Sequence, residues 1–390
     1  MKSGPTLRRD AVTSARRLVI LLDGTWNKRQ DTTNVWRMRL MLRHAKNQRI
    51  YYDEGVGTAR GEQITGGAFA SGLSGKVLNA YLWLLERYED QHESPTGSAD
   101  EVYVFGFSRG AFAARSLVGL LAISGLLRRD AATRVVEAFE LARLQGLSEH
   151  SPIARQFRTS HSREIRIKFL GVWDTVGALG VPRFAVLNKL RLLGFEQNDW
   201  HKVVQLPSIV EHARHAMAID ERRELFKATL WPKADSKQTM EQRWFIGAHA
   251  NVGGGYGNDW LFRRPLQWLQ VEASVHGLDF RQVIHSLGDL FYRSPSRDSL
   301  GEVMYGLYHL SQLHPHVRPI GTGKATRETI DFSALERWIW NPWYRPPALE
   351  SILRSKPNRR PASPQMNDRV IQGLVGVPSS VNGTRGFTFP

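Results

Sequence analysis

The stretch Glu101-Val-Tyr-Val-Phe-Gly-Phe-Ser-Arg-Gly-Ala111 decides how the rest of the chain is read. Its first five residues form an apolar, β-branched and aromatic run with the character of a buried strand, and Ala111 to Leu127 carry a long helical pattern. Between them Gly106-Phe107-Ser108-Arg109-Gly110 fits G-x-S-x-G, the strand–turn–helix signature of a nucleophilic serine. A serine hydroxyl attacks a carbonyl only if a base takes its proton and the oxygen stands clear of the sheet. Glycines at 106 and 110 permit the sharp turn this requires, and the backbone N–H of Arg109, at the start of a helix, is aimed at a developing oxyanion. The competing reading is that the two glycines serve only strand–helix packing and Ser108 is a buried N-cap.

Working outward, Leu18-Val-Ile-Leu-Leu22 reads as a buried strand ending in Asp23-Gly24-Thr25, and Arg49-Ile-Tyr-Tyr52 as a second strand. A Gly/Ala/Ser-rich loop runs to about Gly75, before a helix from Lys76 to Asp90. Ile165 to Trp173 is a strand ending at Asp174, and Arg243 to Ala248 one ending at His249. Strands alternating with helices predict an α/β fold, a mostly parallel sheet with helices on both faces, and the serine turn at 106–110 makes the α/β-hydrolase type the expected one. The expected organisation is a basic N-terminal tail at 1–17, one domain at 18–350, and a Pro/Arg-rich tail at 351–390. The part from about 260 to 345 reads as a helical, lid-like region, and its Trp268, Phe291, Trp338, Trp340 and Trp343 suit either an interfacial surface or an ordinary helical core.

On this fold the partners of Ser108 come in the order acid, then histidine, each at the C-terminal end of a strand. Asp174 and His249 meet both conditions: Asp174 would hold the imidazole and His249 would move the proton. The glycines of Val252-Gly-Gly-Gly-Tyr256 favour His249, since they let the backbone pass close to a site. The competitor is His215, read with His212 as two rings on one helix face; the pair could bind metal, but no third ligand declares itself. For the second oxyanion donor the candidates are the Gly24 and Thr25 N–H groups, against an Asx-type turn closing the first strand.

Composition narrows the rest. Zero cysteines exclude a disulfide framework, a thiolate zinc site and a cysteine nucleophile. Gly75-Lys76 and Gly323-Lys324 lack the remaining residues of a P-loop, so nucleotide hydrolysis is rejected. Formal net charge is +16, from 53 Lys+Arg against 37 Asp+Glu, and the basic residues are spread along the chain with no nucleic-acid-binding pattern; attraction to anionic lipid fits at least as well as nucleic acid, and an ordinary solvated basic surface is the competing reading. The first seventeen residues lack the apolar core of a secretory signal, and no apolar run reaches membrane-spanning length. A soluble protein, cytoplasmic in the cell that makes it, is expected.

Together these residues resemble the α/β-hydrolase family that includes the catalytic domains of type VI secretion phospholipase effectors. The matching motifs are Leu21-Leu-Asp-Gly-Thr-Trp-Asn27, Thr33-Asn-Val35, Tyr52-Asp-Glu-Gly-Val-Gly57, Gly106-Phe-Ser-Arg-Gly-Ala111 and Val172-Trp-Asp-Thr-Val176. They continue through His215-Ala-Met-Ala-Ile-Asp-Glu221 and Trp244-Phe-Ile-Gly-Ala-His249 to Tyr256, with Tyr344-Arg-Pro-Pro347 as a closing motif. The resemblance implies a Ser108–Asp174–His249 hydrolase of phospholipid acyl esters, without metal or organic cofactor. It leaves open both delivery without a signal peptide, with a secretion-system or immunity partner, and a stand-alone lipid hydrolase. Two departures stand out: Asn251 where the family commonly has aspartate, and Leu313-His-Pro-His-Val-Arg318, where serine often follows His-Pro. A soluble esterase or thioesterase, and an inactive hydrolase fold used as a binding module, remain the alternatives.

Overall fold

The computed structural model describes residues 15–24, 32–54, 66–144, 146–176, 205–299, 315–355 and 386–388. Along β1 (Arg17–Leu22) successive side chains enter two different cores: Leu18, Ile20 and Leu22 one, Val19 and Leu21 the other. The same alternation runs through β3 (Glu101–Phe107), with Val102 and Val104 on one face and Tyr103, Phe105 and Phe107 on the opposite one. A strand buried on both faces requires a layer of helices on each. Helices α2 (Gly66–Arg87) and α3 (Arg109–Ser124) supply one layer, with Tyr81, Leu84, Leu117 and Leu121 among the residues in its core. Helix α1 (Asn34–Met41) and the helix Arg263–Val275 supply the other, through Val35, Met38, Leu266 and Leu269.

Among the described residues, eight strands form the sheet, in the order β10-β9-β8-β7-β6-β3-β1-β2. Here β2 is Gln48–Asp53, β6 Ile167–Trp173, β7 Val210–Ala218, β8 Thr239–Phe245, β9 Glu328–Asp331 and β10 Gly386–Thr388. All neighbours are parallel except β10 on β9. Two short strands, β4 (Leu126–Leu127) and β5 (Ser162–Arg163), pair separately. The expected α/β class and mostly parallel sheet are what the chain adopts.

Strand order reverses direction between β1 and β3, which opens a crevice at their C-terminal ends. There α3 begins in direct contact with β1: a Cβ on Gly110 would stand 2.1 Å from the Leu22 carbonyl oxygen, and one on Gly106 2.4 Å from the Gly110 oxygen. Both glycines are demanded by backbone against backbone.

Several boundaries differ from the sequence reading. Helix α3 stops at Ser124 because Gly125, at φ +72°, turns the chain into β4. The region after Trp260 is not wholly helical, since β9 joins the central sheet there. Arg16 and Arg17, assigned to a tail, belong to the fold: Arg17 opens β1 and the Arg16 guanidinium reaches both oxygens of Asp100 at 2.7 and 2.9 Å. At the other end the helix Pro347–Ser355 runs past residue 350 and β10 adds to the sheet edge.

Because the Gly110 methylene has backbone carbonyls on its far side, Gly110→Ala is expected to lower the unfolding free energy by about 2 kcal/mol, as overpacking does. Denaturant titration checks this; wild-type stability would mean that α3 has room to retreat from β1.

Candidate active site

Ser108 sits between β3 and α3 at φ +57°, ψ −121°, a conformation that costs a non-glycine residue energy and is held by the packing around it. Its side chain makes no capping hydrogen bond to α3. Instead Ser108 Oγ lies 2.8 Å from His249 Nε2, and His249 Nδ1 lies 2.6 Å from Asp174 Oδ2. Asp174 is the residue immediately after β6, the neighbour of β3, and it too has positive φ, +39°. His249 opens the short helix His249–Gly253 beyond β8 and leans back over the end of β7 to reach it.

The proton positions follow from the partners. A carboxylate only accepts, so Nδ1 carries the hydrogen, leaving the Nε2 lone pair to accept from the Ser108 hydroxyl. Burial would push the Asp174 carboxyl up, but the Arg318 guanidinium and the hydrogen bond from His249 hold it well below the usual carboxylate range. Burial lowers the His249 imidazole, against the opposing pull of Asp174, so the ring is neutral and able to take a proton near neutral pH.

Around this relay the ring is clamped. Phe107 lies 4.7 Å from the imidazole, centroid to centroid, and Phe226 meets it edge-on at 5.0 Å. Gly253 allows this, because a Cβ there would fall 1.9 Å from the Phe107 ring. The His249 backbone N–H donates to Glu221 Oε2 at 3.2 Å, and Arg223 holds Glu221 with both Nε and Nη2. Asp220 accepts from the Gly247 N–H and the Ser296 hydroxyl, and the Tyr344 hydroxyl lies at 3.3 Å, so the closing motif ties down the turn before His249. Asn251 Oδ1 accepts from the N–H groups of Ala248 and Arg297, at 2.9 and 3.2 Å. An amide oxygen serves these two donors as a carboxylate would.

The other residues singled out by sequence do not join this group. His215 lies on β7, not on a helix, so it and His212 point to opposite faces of the sheet. Its Nε2 accepts from the Thr175 N–H at 3.0 Å, and burial, aided by Arg115, pushes it down to about 3. His212 instead stacks on His276, ring centroids 3.5 Å apart. Among the described residues no cluster of three or more His, Asp or Glu side chains is arranged to hold a metal.

Of the oxyanion candidates, Arg109 is the first residue of α3. The Gly24 N–H donates to its neighbour's side chain, Asp23 Oδ1, at 2.8 Å; Thr25, whose N–H would close an Asx turn on Asp23, lies outside the described residues. Sequence reasoning missed Arg318 and Glu221 as parts of the site. Glu221 fell inside a quoted motif, and Arg318 stood in a stretch noted only for the residue after His-Pro.

A family model described as the catalytic domain of type VI secretion, Tle1-like phospholipase effectors matches residues 16–272. The chain belongs to the Tle1-like family. A curated relative, an uncharacterized protein of Saccharomyces cerevisiae, is 28% identical over 242 residues, covering 55% of this chain and 32% of that protein. An uncharacterized protein from Pseudomonas aeruginosa aligns over 79% of this chain and 52% of its own, at 18% identity and a TM-score of 0.45. A Tle1 effector solved bound to the VgrG spike of the type 6 secretion system aligns over 63% and 52%, at 20% identity and 0.36. An esterase of Thermogutta terrifontis, solved with butyrate bound, aligns over 69% and 87%, at 13% and 0.37. This member of the Tle1-like family thus spans about a third of the length of its curated relative and about half that of the first two solved chains.

His215 gives a stability prediction. Its folded value lies below that of an unfolded histidine, about 6.5, so the unfolded chain binds the proton more readily. The stability it contributes is complete above about pH 6.5 and is lost as pH falls toward 3, at a slope of up to about 1.4 kcal/mol per pH unit. His215→Gln should therefore show a shallower fall in unfolding free energy between roughly pH 6.5 and 4 than wild type. Equal slopes would show that the imidazole is not held neutral.

Proposed function

We propose that this chain is a serine hydrolase that cleaves acyl esters of phospholipids, with Ser108 as nucleophile, His249 as general base and acid, and Asp174 as the group that orients and stabilises the imidazole. One observation carries the reading: the continuous hydrogen-bonded line from Ser108 Oγ through both nitrogens of His249 to Asp174, built on a strained elbow at the end of β3. In the first half-reaction Ser108 Oγ bonds to the ester carbonyl carbon as its proton passes to His249 Nε2. The tetrahedral oxyanion is met by the Arg109 N–H at the start of α3, where the helix dipole favours negative charge. Collapse breaks the carbon–oxygen bond of the leaving alcohol, which takes the proton from His249. Water, deprotonated by the same imidazole, then releases the fatty acid from Ser108. No step calls on a metal or organic cofactor.

The lipid part of the reading rests on the family description together with the surface. Trp343 is 92% exposed and Trp340 64%, whereas Trp268 and Phe291 are buried. Exposed indole rings on a chain of net charge +16 suit the headgroup level of an anionic membrane. Trp343 adjoins Tyr344, whose hydroxyl contacts Asp220, so this surface lies by the same strand ends as His249. The described residues around Trp340 and Trp343 would then flank the site, and the family description supports delivery through a secretion-system partner.

The decisive assay follows fatty acid release from mixed phospholipid vesicles, with a short-chain soluble ester alongside. Ser108→Ala and His249→Ala are each expected to lose about 10^3-fold or more on both substrates while remaining folded. Full activity of Ser108→Ala would end the serine-hydrolase reading, and hydrolysis of the soluble ester alone would replace phospholipid with a small acyl ester. Trp343→Ala should weaken sedimentation with anionic vesicles by about tenfold, the loss expected for one interfacial aromatic, and leave soluble-ester turnover unchanged. Unaltered vesicle binding would remove the indole from the membrane contact.

A further inference from the structure

The carboxylate of the relay has a second partner, supplied from beyond the segment that the family model matches. Arg318 Nη1 donates to Asp174 Oδ1 at 2.6 Å and Nη2 to Oδ2 at 3.0 Å, with both side chains almost wholly enclosed. The same guanidinium donates to the carbonyl oxygens of Ala218 at 3.0 Å and of Phe226, whose ring touches His249. It therefore links Asp174, the end of β7 and the turn that clamps the imidazole.

We propose that Arg318 is the positioning residue of the catalytic relay: its fork fixes the plane of the Asp174 carboxylate so that Oδ2 faces His249 Nδ1, and its charge limits how tightly that carboxylate holds a proton on the ring. The inference rests on the Ser108–His249–Asp174 reading above. Two parallel N–H···O bonds admit one in-plane arrangement of guanidinium and carboxylate, and the ring hydrogen-bonded to that carboxylate inherits its orientation. The Ala218 N–H, at 3.0 Å from Oδ1, fixes one oxygen alone and leaves the carboxylate free to rotate about it.

The charged and titratable groups facing the pair are Glu221 and Arg223 from the turn after β7, and His215 from β7 itself. None of these bonds to the Asp174 carboxylate, whereas Arg318 bonds to both of its oxygens. Without the guanidinium, His249 would feel the full charge of the carboxylate. The imidazolium would gain stability, the base would stay protonated to higher pH, and the acid limb of the rate profile would move up.

The test compares kcat and KM on a soluble short-chain ester across pH for wild type, Arg318→Gln, Arg318→Lys and Ser108→Ala. For Arg318→Gln the expected result is a kcat about 100-fold lower, a KM within about threefold, and an acid limb about one pH unit higher. Arg318→Lys keeps the charge and loses the fork, so its acid limb stays with wild type while kcat falls about tenfold. An Arg318→Gln enzyme with an unmoved acid limb would overturn the proposal and leave Arg318 a strut. If Arg318→Gln does not fold, Arg318→Lys decides: wild-type kcat would overturn the fork's role. Retained activity in Ser108→Ala is a separate outcome, which would sink the relay and this inference with it.

Discussion

A carboxylate cut off from water survives in the folded state only if protein donors replace the solvent, and Asp174 meets that condition from three distant parts of the chain. Ala218 gives a backbone N–H from the end of β7, His249 a ring N–H from beyond β8, and Arg318 two N–H groups from the segment that precedes β9. Each donor brings its own element to the C-terminal edge of the sheet. Leaving the Arg318 position empty would cost an uncompensated buried charge, and leaving either of the other two empty an unmet acceptor on that carboxylate. The arrangement at this edge is over-determined for that reason, and over-determination is what allows Ser108 and Asp174 to persist at positive φ.

The parallel sheet and the serine turn were legible because their signals are local. A strand buried on both faces must be apolar throughout, as Leu18 to Leu22 and Glu101 to Phe105 nearly are, and two glycines four residues apart around a serine have few other uses. The placement of Asp174 was legible by the same logic, since it directly follows a strand, and that of His249 nearly so, since it opens the helix shortly beyond β8. His215 was misplaced because Glu-His-Ala-Arg-His-Ala-Met-Ala is built from helix-favouring residues with no β-branched side chain after Val210. Burial between β6 and β8 overrides that preference, and the segment becomes a central strand.

Other parts were hidden for a different reason. Nothing periodic joins Arg318 to a carboxylate 144 residues earlier, and nothing in Glu328-Thr-Ile-Asp331 distinguishes a four-residue sheet strand from a loop. Buried ion pairs of this kind are visible only once the fold has brought them together. Gly24 shows the converse: a turn signal and an oxyanion-donor signal are spelled with the same residues, and in the structure its N–H serves Asp23.

The pairing of Asp174 with Arg318 also bears on how the chain is made. Translation releases Ser108, Asp174 and His249 well before Arg318 leaves the ribosome, so a nascent chain holds the three side chains of the proposed relay while the carboxylate still lacks its counter-charge. In that interval burial of Asp174 is unfavourable and the edge of the sheet has reason to stay open. The three side chains of the proposed relay are thereby brought together late, at the docking of a segment that comes after all of them.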